Sequence, residues 1–230
     1  MHVASIWRYP VKSLAGERLP TAVLTRDGVP GDRLVHVRND HGPLTGRSRH
    51  GLLTLRAITS AAGVPLVGGA RWDSAAAADA ICRHAGPDAR LAAFDGSERF
   101  DVLNLLVATD SAIAELGTDV RRLRPNILLA DVPAGAERGW EGKALRVGEA
   151  LIGLYTLRQR CVVTTIDPDT GEQDVGVLLR IRDRFGTRIA LDSWVIDPGR
   201  ITVGDIATIE PTSAEPAHVG GWIVGAPYRG

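Results

Sequence analysis

Short runs of β-branched and apolar residues, separated by turn-forming residues, are the feature that most limits how this chain can fold. The runs cover residues 2–9, 33–38, 126–130, 150–158, 161–166, 188–196 and 201–210. Clusters of Gly, Pro, Asp or Asn stand between many of them, which is the pattern of a β-rich barrel. Helical stretches are too few and too irregularly spaced for a doubly wound sheet of alternating strands and helices. The sequence therefore predicts an α+β fold built on a β-barrel.

Two segments have the composition and end signals of helices. Residues 75–81 read AAAADAI, and Ala is the best helix former. Asp73 or Ser74 can cap that helix, and a Gly-Pro pair beyond it can end it. The second helix lies in TDSAIAELG, where Thr109 or Asp110 provides the cap and a glycine ends the segment.

A turn-rich segment, DGSERFD at 95–101, is the best candidate for a boundary between two modules. It would separate an N-terminal β-rich module, residues 1–100, from a C-terminal core, residues 101–230. A chain of 230 residues is long enough for one large domain or for two modest ones.

Charge and cysteine content exclude several classes of protein. Lys+Arg and Asp+Glu number 27 each, so no overall field attracts nucleic acid or an anionic membrane. The two cysteines, Cys82 and Cys161, cannot build a disulfide framework or a four-cysteine iron–sulfur or zinc site. The six histidines show no zinc-binding spacing, and no dinucleotide-binding, phosphate-binding or nucleophile-elbow motif is present. Without a signal peptide or an apolar run of about 20 residues, we expect a cytoplasmic protein.

Cys161 opens the β-branched run CVVTTI and is followed by a compact turn signal, DPDTG. In that turn Pro168 presets φ, Asp167 can accept bonds from the backbone ahead of it, and Gly171 supplies a left-handed residue. The turn would hold the thiol on rigid backbone. From the residues alone, Cys161 is either a small apolar side chain packed in a strand or a thiolate placed to bind or attack. Cys82, in the predicted first helix, is most simply a core thiol.

Several basic residues stand where they could bind an anion. RRLRPNILL places Arg121, Arg122 and Arg124 just before a strand, and Pro125 should hold residue 124 extended. Planar, permanently charged guanidinium groups suit a phosphate clamp, although a solvated basic turn explains them equally well.

Two further basic segments can likewise be interpreted either as ligand-binding or as purely structural. In RYPVKSL, Lys12 and Ser13 could bind phosphate, or Pro10 and Lys12 could protect an exposed edge strand. Arg33, after an aspartate, and Arg47, in TGRSR, are either ligand-binding residues or surface charge.

The chain resembles the MOSC superfamily in seven segments that follow one another in the family's order. They are YPVKSL, DR, TGR, TDSAI, RPNILL, GWEGKALRVGEA and RCVVTTIDPDTGEQ. That superfamily includes the molybdenum cofactor sulfurase C-terminal domain and the amidoxime-reducing components. The resemblance covers most of the chain, and its last motif is the specific one. It implies an N-terminal MOSC β-barrel module joined to a MOSC core. A segment after the last motif, residues 172–186, departs from the family pattern and leaves the contacts with substrate open.

The resemblance also implies a molybdenum–pterin cofactor in a cleft between the modules. Cys161 matches the thiolate that binds the metal and is the expected catalytic residue. The positions that match residues around the pterin and its phosphate are Lys12, Ser13, Arg33, Arg47, Thr109, Arg124 and Asn126. A soft, anionic sulfur suits a metal already held by a dithiolene.

The activity implied is reduction of small N-hydroxylated substrates by a molybdenum-dependent oxidoreductase. Because two cysteines cannot build an iron–sulfur centre, we expect a separate electron donor, a flavoprotein or a ferredoxin. Two alternatives stay open. The protein could be a non-catalytic carrier of the molybdenum cofactor or of persulfide sulfur on Cys161, or it could be a β-barrel interaction module without a cofactor.

Overall fold

The structure, a computed structural model, describes residues 1–94 and 99–217 of the chain. In chain order the strands are β1 (His2–Arg8), β2 (Glu17–Leu19), β3 (Thr21–Leu24), β4 (Val35–Asn39), β5 (Gly42–Leu44), β6 (Ala57–Thr59), β7 (Pro65–Val67), β8 (Ala70–Arg71), β9 (Arg90–Ala93), β10 (Leu105–Thr109), β11 (Ile127–Ala130), β12 (Lys143–Val147), β13 (Ala150–Gln159), β14 (Arg188–Asp197), β15 (Gly199–Thr202) and β16 (Ala207–Pro211). The α-helices are α1 (Ala75–Ala85), α2 (Asp110–Leu116) and α3 (Val175–Phe185). The predicted α+β class is confirmed, and sheet dominates it.

The largest sheet joins strands from both ends of the chain. Its order is β16-β12-β13-β14-β10-β11-β1-β2, and its pairs are antiparallel except for parallel β10 and β11. The largest apolar cluster packs on this sheet and combines Val3 and Ile6 of β1 with residues as distant as Ala207. The N-terminal strands β1–β3 therefore share a core with the C-terminal strands.

The two margins of this sheet meet at one corner. Val3 donates to Asp205 O at 2.9 Å and accepts from Gly204 N at 2.8 Å, beside a single bridge between His2 and Ile206. In a flat sheet, the six strand spacings between β16 and β1 would separate them by about 29 Å, so the sheet must curve strongly. Among the described residues no continuous ladder joins these margins. The predicted barrel is thus observed as a curved sheet linked at one corner, not as a closed barrel.

A second apolar cluster forms around α1 and the short strands of residues 35–93. It includes Val11, Leu14 and Ile81. The structure confirms the prediction of this helix, since Ser74 Oγ accepts from Ala77 N at 3.3 Å and Gly86 ends it with a φ of 107°. The predicted module boundary, 95–101, falls partly outside the described residues, because 95–98 are not among them.

The helix α2 is also confirmed, whereas α3 was not predicted. Thr109 Oγ1 caps α2 by accepting from Ala112 N at 3.3 Å. In α3, residues Val177, Ile181 and Phe185 recur every four positions and are buried, and Asp174 caps the helix. Within the part of the chain that the structure describes, no helix is long and apolar enough to cross a membrane.

Candidate functional site: a cationic cleft around Cys161

A cleft of about 230 Å³ is lined by residues from both halves of the chain. Among its lining residues are six of the eight predicted site residues: Lys12, Ser13, Arg33, Arg47, Arg124 and Cys161. Segments more than 100 positions apart therefore converge here, as the resemblance implied. Whether each of the six binds a cofactor stays a prediction.

Cys161 lies at the start of a 3₁₀ turn, Val162–Thr165, and the predicted strand 161–166 is wrong. Two threonine hydroxyls explain the difference. Thr164 Oγ1 donates to Cys161 O at 2.9 Å, and Thr165 Oγ1 donates to Val162 O at 2.6 Å. Such bonds to the carbonyl three residues back compete with strand pairing, despite the β-branched composition. The thiol is half-buried at the point where β13 ends, so it is not a core side chain packed within a strand.

The turn that follows Cys161 has the predicted construction. Asp167 Oδ1 accepts from Asp169 N at 2.9 Å and from Thr170 N at 3.0 Å, and Gly171 has a φ of 75°. Arg122 stabilises this turn, because its guanidinium donates to Thr165 O at 2.7 Å and to Asp167 Oδ2 at 2.9 Å. The backbone that carries the thiol is therefore held from both sides.

Of the three arginines in RRLRP, only Arg124 lines the cleft. Arg121 binds Asp119 and Asp169 through its guanidinium, at 2.7 Å and 2.6 Å, and Arg122 binds the turn described above. The phosphate clamp considered from the sequence is therefore reduced to Arg124, since the other two arginines form ion pairs within the protein.

Arg124 is also not extended, which corrects the expectation drawn from Pro125. Its φ is 57°, in the left-handed region, and its N–H closes a tight turn onto Arg121 O at 3.1 Å. The guanidinium lies over the Tyr9 ring, with 4.3 Å between Cζ and the ring centroid. Burial lowers the pKa of Arg124 to about 10. Stacking on a buried ring, together with the tight turn, offsets the conformational preference of a residue before proline.

Ser13 and Arg33 are likewise left-handed, with φ values of 73° and 53°. For a side chain other than glycine, this region costs roughly 1–2 kcal/mol per residue. With Arg124, three of the six non-glycine residues that have a positive φ in the described part of the chain line this cleft, and strain of this kind is common at functional sites.

The other two predicted site residues, Thr109 and Asn126, lie outside the cleft lining. Thr109 caps α2 and is 1% exposed. Asn126 is buried, and its Nδ2 donates to Trp7 O at 3.2 Å and to Asp32 Oδ2 at 3.1 Å. Because Asp32 in turn binds the guanidinium of Arg33, Asn126 supports a residue of the cleft indirectly. Direct contact of Thr109 or Asn126 with a cofactor stays a prediction.

Sequence reasoning missed an ion-pair chain along one wall of the cleft. Lys12 Nζ lies 2.9 Å from Asp101 Oδ1, and Arg158 Nη1 lies 3.9 Å from Asp101 Oδ2. Arg158 Nε donates to Asp192 Oδ1 at 2.7 Å. Lys12 is only 8% exposed, so it does not lie on an exposed edge strand. Burial opposes the ionisation of Asp101, but Lys12 and Arg158 outweigh it and hold the pKa of that carboxyl well below its usual range.

Arg160 was noted only as a neighbour of Cys161, yet it also lines the cleft. β13 ends at Gln159, its pairing with β14 is irregular between Leu157 and Gln159, and the four consecutive residues 158–161 all line the cleft. Strand alternation would have placed Arg160 and Cys161 on opposite faces, so it gave no signal for Arg160. Burial and the nearby Arg158 lower the pKa of Arg160 to about 10, while the charge of Cys161 acts in the opposite direction.

The cleft therefore combines one thiol with an excess of positive charge. Six cationic side chains and a single acid, Asp101, are among its lining residues. Over residues 1–94 and 99–217, no group of three or more His, Cys, Asp or Glu could hold a metal ion. The arrangement suits an anionic ligand.

Two family profiles match this chain. A profile of the MOSC domain matches residues 83–208, and one of the MOSC N-terminal beta barrel domain matches residues 1–65. The chain belongs to the MOSC domain family. Among curated MOSC relatives, human mitochondrial amidoxime reducing component 2 is 32% identical over 80 residues, 32% of this chain and 23% of the relative. Human mitochondrial amidoxime-reducing component 1 is 29% identical over 77 residues, 31% of this chain and 22% of the relative.

These alignments span less than a quarter of the relatives' length. Among solved structures, the YuaD protein from Bacillus subtilis superposes with a TM-score of 0.52 at 11% identity, covering 92% of this chain and 96% of YuaD. That likeness shows the fold alone.

Proposed function

We propose that this MOSC protein is a molybdenum-cofactor-dependent oxidoreductase that reduces N-hydroxylated compounds, with Cys161 as the protein ligand of the metal. The observation that carries the proposal is the position of the Cys161 thiol, half-buried in a cleft with five cofactor-binding candidates. The name of the curated relatives, amidoxime reducing component, supports amidoximes as the substrate class.

The residues present fit such a cofactor. Arg124 and Arg160 have buried N–H groups that find no acceptor among the described residues, so the cleft is suited to a ligand rich in oxygen atoms. A single thiolate is a poor site for a bare metal, but it is sufficient for a metal that a pterin dithiolene already holds. When bound, the cofactor would supply the two-electron chemistry that removes oxygen from nitrogen.

The chain's own residues then have distinct tasks. Arg158 and Arg160 line the same cleft as Cys161, where they would attract an anionic cofactor. The 3₁₀ turn and Arg122 hold the backbone that carries the sulfur. Arg33 and Arg124, both stacked on Tyr9, and Lys12 would orient the pterin and its phosphate.

The electrons would come from a separate protein. The chain has only Cys82 and Cys161, and the second is assigned to the metal, so an internal iron–sulfur centre cannot form. We propose a flavoprotein or a ferredoxin as the donor.

The test uses protein expressed in a host that makes the molybdenum cofactor. We expect equimolar molybdenum and turnover of an amidoxime with reduced viologen as the electron source. Cys161→Ser should lose turnover and most of the metal, because a hydroxyl is a weak ligand for a soft site. Cys82→Ser is the matched control, since Cys82 lies outside the cleft lining, and it should keep both.

Three results would contradict the proposal. Full turnover in Cys161→Ser would remove the assigned ligand. Stoichiometric cofactor without turnover in the unsubstituted protein would favour a cofactor carrier. Cyanide-labile sulfur on Cys161 without molybdenum would favour a persulfide carrier.

A further inference from the structure

The helix α3 has apolar side chains on its outward side as well as on its buried side. Two of the six large apolar side chains that are exposed within residues 1–94 and 99–217 lie on α3, Val175 at 60% and Leu179 at 46%. Residues three and four positions apart are neighbours on a helix, so Val175, Leu179 and Arg182 form one stripe, the α3 face. The opposite side, with Ile181 and Phe185, is packed in a core cluster. Adjacent exposed apolar side chains are a feature of surfaces that bind a partner.

Arginines surround the α3 face. Residues 174–188 include four arginines and two aspartates, although basic and acidic residues are equal in number over the whole chain. Arg182, Arg184 and Arg188 are exposed, and Arg138, 48% exposed, joins them by donating to Arg184 O at 3.0 Å. Arg182 lies 2.7 Å from Asp183, but both side chains are about 60% exposed, so water weakens this pair. Apolar contact among arginines is typical of protein interfaces, and the excess positive charge selects an acidic partner.

The helix α3 adjoins the segment that carries Cys161. Beyond its C-terminal end, Thr187 O accepts from Arg160 N at 3.0 Å. Before its N-terminal end, Asp174 N donates to Thr165 O at 2.8 Å. Both ends of α3 are therefore hydrogen-bonded to residues 160–165, which include Cys161.

We infer that the α3 face docks a small, acidic two-iron ferredoxin that delivers electrons to the metal at Cys161. The inference rests on the proposed function, since an electron donor is needed only if Cys161 binds a redox-active metal. In each turnover the N–O bond of the substrate R–NHOH breaks, and two electrons and two protons convert it to R–NH₂ and water. Two reduced ferredoxins, each oxidised by one electron, supply the electrons, and solvent supplies the protons.

The size and position of the α3 face favour a ferredoxin over a large flavoprotein. A helix of 11 residues is about 16 Å long, so the face offers only a small interface. Weak electron-transfer complexes use interfaces of this size, below roughly 1,200 Å² in total. Thr187 O is separated from Cys161 by one hydrogen bond and the residue Arg160. A donor on this face would therefore lie close to the proposed metal ligand.

The first experiment measures amidoxime turnover by cofactor-loaded protein with two electron sources. One is reduced methyl viologen, which needs no docking surface. The other is an acidic plant-type ferredoxin, kept reduced by ferredoxin–NADP⁺ reductase and NADPH. Arg182→Glu should raise the KM for ferredoxin by about tenfold or more, because it places a like charge against the acidic partner, and should change viologen turnover by less than about twofold. Leu179→Ser, which removes apolar contact without changing charge, should raise the same KM several-fold.

The matched control is Arg90→Glu, which makes the same charge change at an exposed ion pair with Asp40, in β9. It should change the KM for ferredoxin by less than about twofold. All three substitutions alter exposed side chains, so their thermal unfolding curves should match that of the unsubstituted protein. Added salt should raise the KM for ferredoxin in the unsubstituted protein more than in Arg182→Glu.

The second experiment tests docking without turnover, by calorimetric titration of cofactor-free protein with oxidised ferredoxin at low ionic strength. Arg182→Glu should weaken binding by about tenfold or more, and Arg90→Glu should not. The inference is overturned if ferredoxin does not bind, if viologen supports turnover and ferredoxin does not, or if Arg182→Glu and Leu179→Ser behave as Arg90→Glu does. Loss of turnover with viologen in the unsubstituted protein contradicts the proposed function instead, and the titration still decides whether the α3 face binds ferredoxin.

Discussion

The two sides of the cleft use the same kind of residue for opposite purposes. On one side, the compensated wall, Lys12, Arg158, Asp101 and Asp192 form a continuous chain of ion pairs. On the other, the uncompensated wall, Arg124 and Arg160 have no acid partner among the described residues and keep unpaired donors. Because removing one partner of a buried pair leaves an uncompensated charge, the fold depends on the first wall staying intact. The second wall retains binding capacity at some cost in stability.

The largest expected effect comes from breaking the compensated wall at Arg158. Arg158→Met leaves the Asp192 carboxylate, which is 2% exposed, without its partner. Removing one member of a buried pair costs about 3–5 kcal/mol of unfolding free energy. Urea unfolding measures this loss. As a control, Arg90→Met breaks an exposed pair with Asp40 and should cost less than about 1 kcal/mol. A loss below about 1 kcal/mol in Arg158→Met would show that the two walls do not differ in this way.

A smaller effect is expected on the uncompensated wall. Arg124→Gly removes an unpaired donor and relieves a left-handed backbone, worth about 1–2 kcal/mol, but loses the stacking on the buried Tyr9 ring, worth about 2 kcal/mol. Because these contributions nearly cancel, the unfolding free energy should change by less than about 1 kcal/mol, while phosphate binding is lost.

The matched control for Arg124→Gly is Asp131→Gly, because Asp131 is also left-handed, with a φ of 58°, and lies outside the cleft lining. That variant should keep phosphate affinity. If Arg124→Gly instead loses more than about 2 kcal/mol by urea unfolding, the side chain supports the fold and the contrast between the walls is wrong.

Features that depend on local sequence were predictable. Thr109 was one of two predicted caps, and the turn from Asp167 to Gly171 was predicted with its hydrogen bonds. A cap or a turn is stabilised by residues two or three positions away, which a single sequence displays directly. The convergence of Lys12, Arg124 and Cys161 on one cleft followed from the resemblance, not from any local pattern.

Features that depend on competition or on distant pairing were not predictable. The run after Cys161 reads as a strand because its residues are β-branched, and only the bonds of Thr164 and Thr165 to earlier carbonyls reveal the turn. The chain Lys12–Asp101–Arg158–Asp192 joins segments far apart in sequence, so no spacing signals it. For the same reason, the sequence could not show that Arg121 and Arg122 are bound to acids while Arg124 has no acid partner within residues 1–94 and 99–217.

The smallest expected effect is a change in how stability depends on pH at Asp101. Lys12 and Arg158 hold the pKa of Asp101 below its usual value despite burial. A carboxyl with a lowered pKa stabilises the folded chain at neutral pH, and this contribution fades as pH falls below about 4, the pKa of an unfolded aspartate. Asp101→Asn removes the titrating group. The unfolding free energy of this variant should therefore change less than that of the unsubstituted protein as the pH falls from neutral to below about 4. Urea unfolding across a pH series measures the difference.

Asp40→Asn is the control for that series, because Asp40 is 85% exposed in its pair with Arg90 and should leave the pH dependence as it is. Asp101→Asn should also strengthen phosphate binding, since Lys12 and Arg158 lose a competing anion. The compensated wall would then resemble the uncompensated wall. Parallel pH curves for Asp101→Asn and the unsubstituted protein, with equal phosphate affinities, would mean that Asp101 does not compensate this wall. The distinction between the walls would then depend on Asp192 alone.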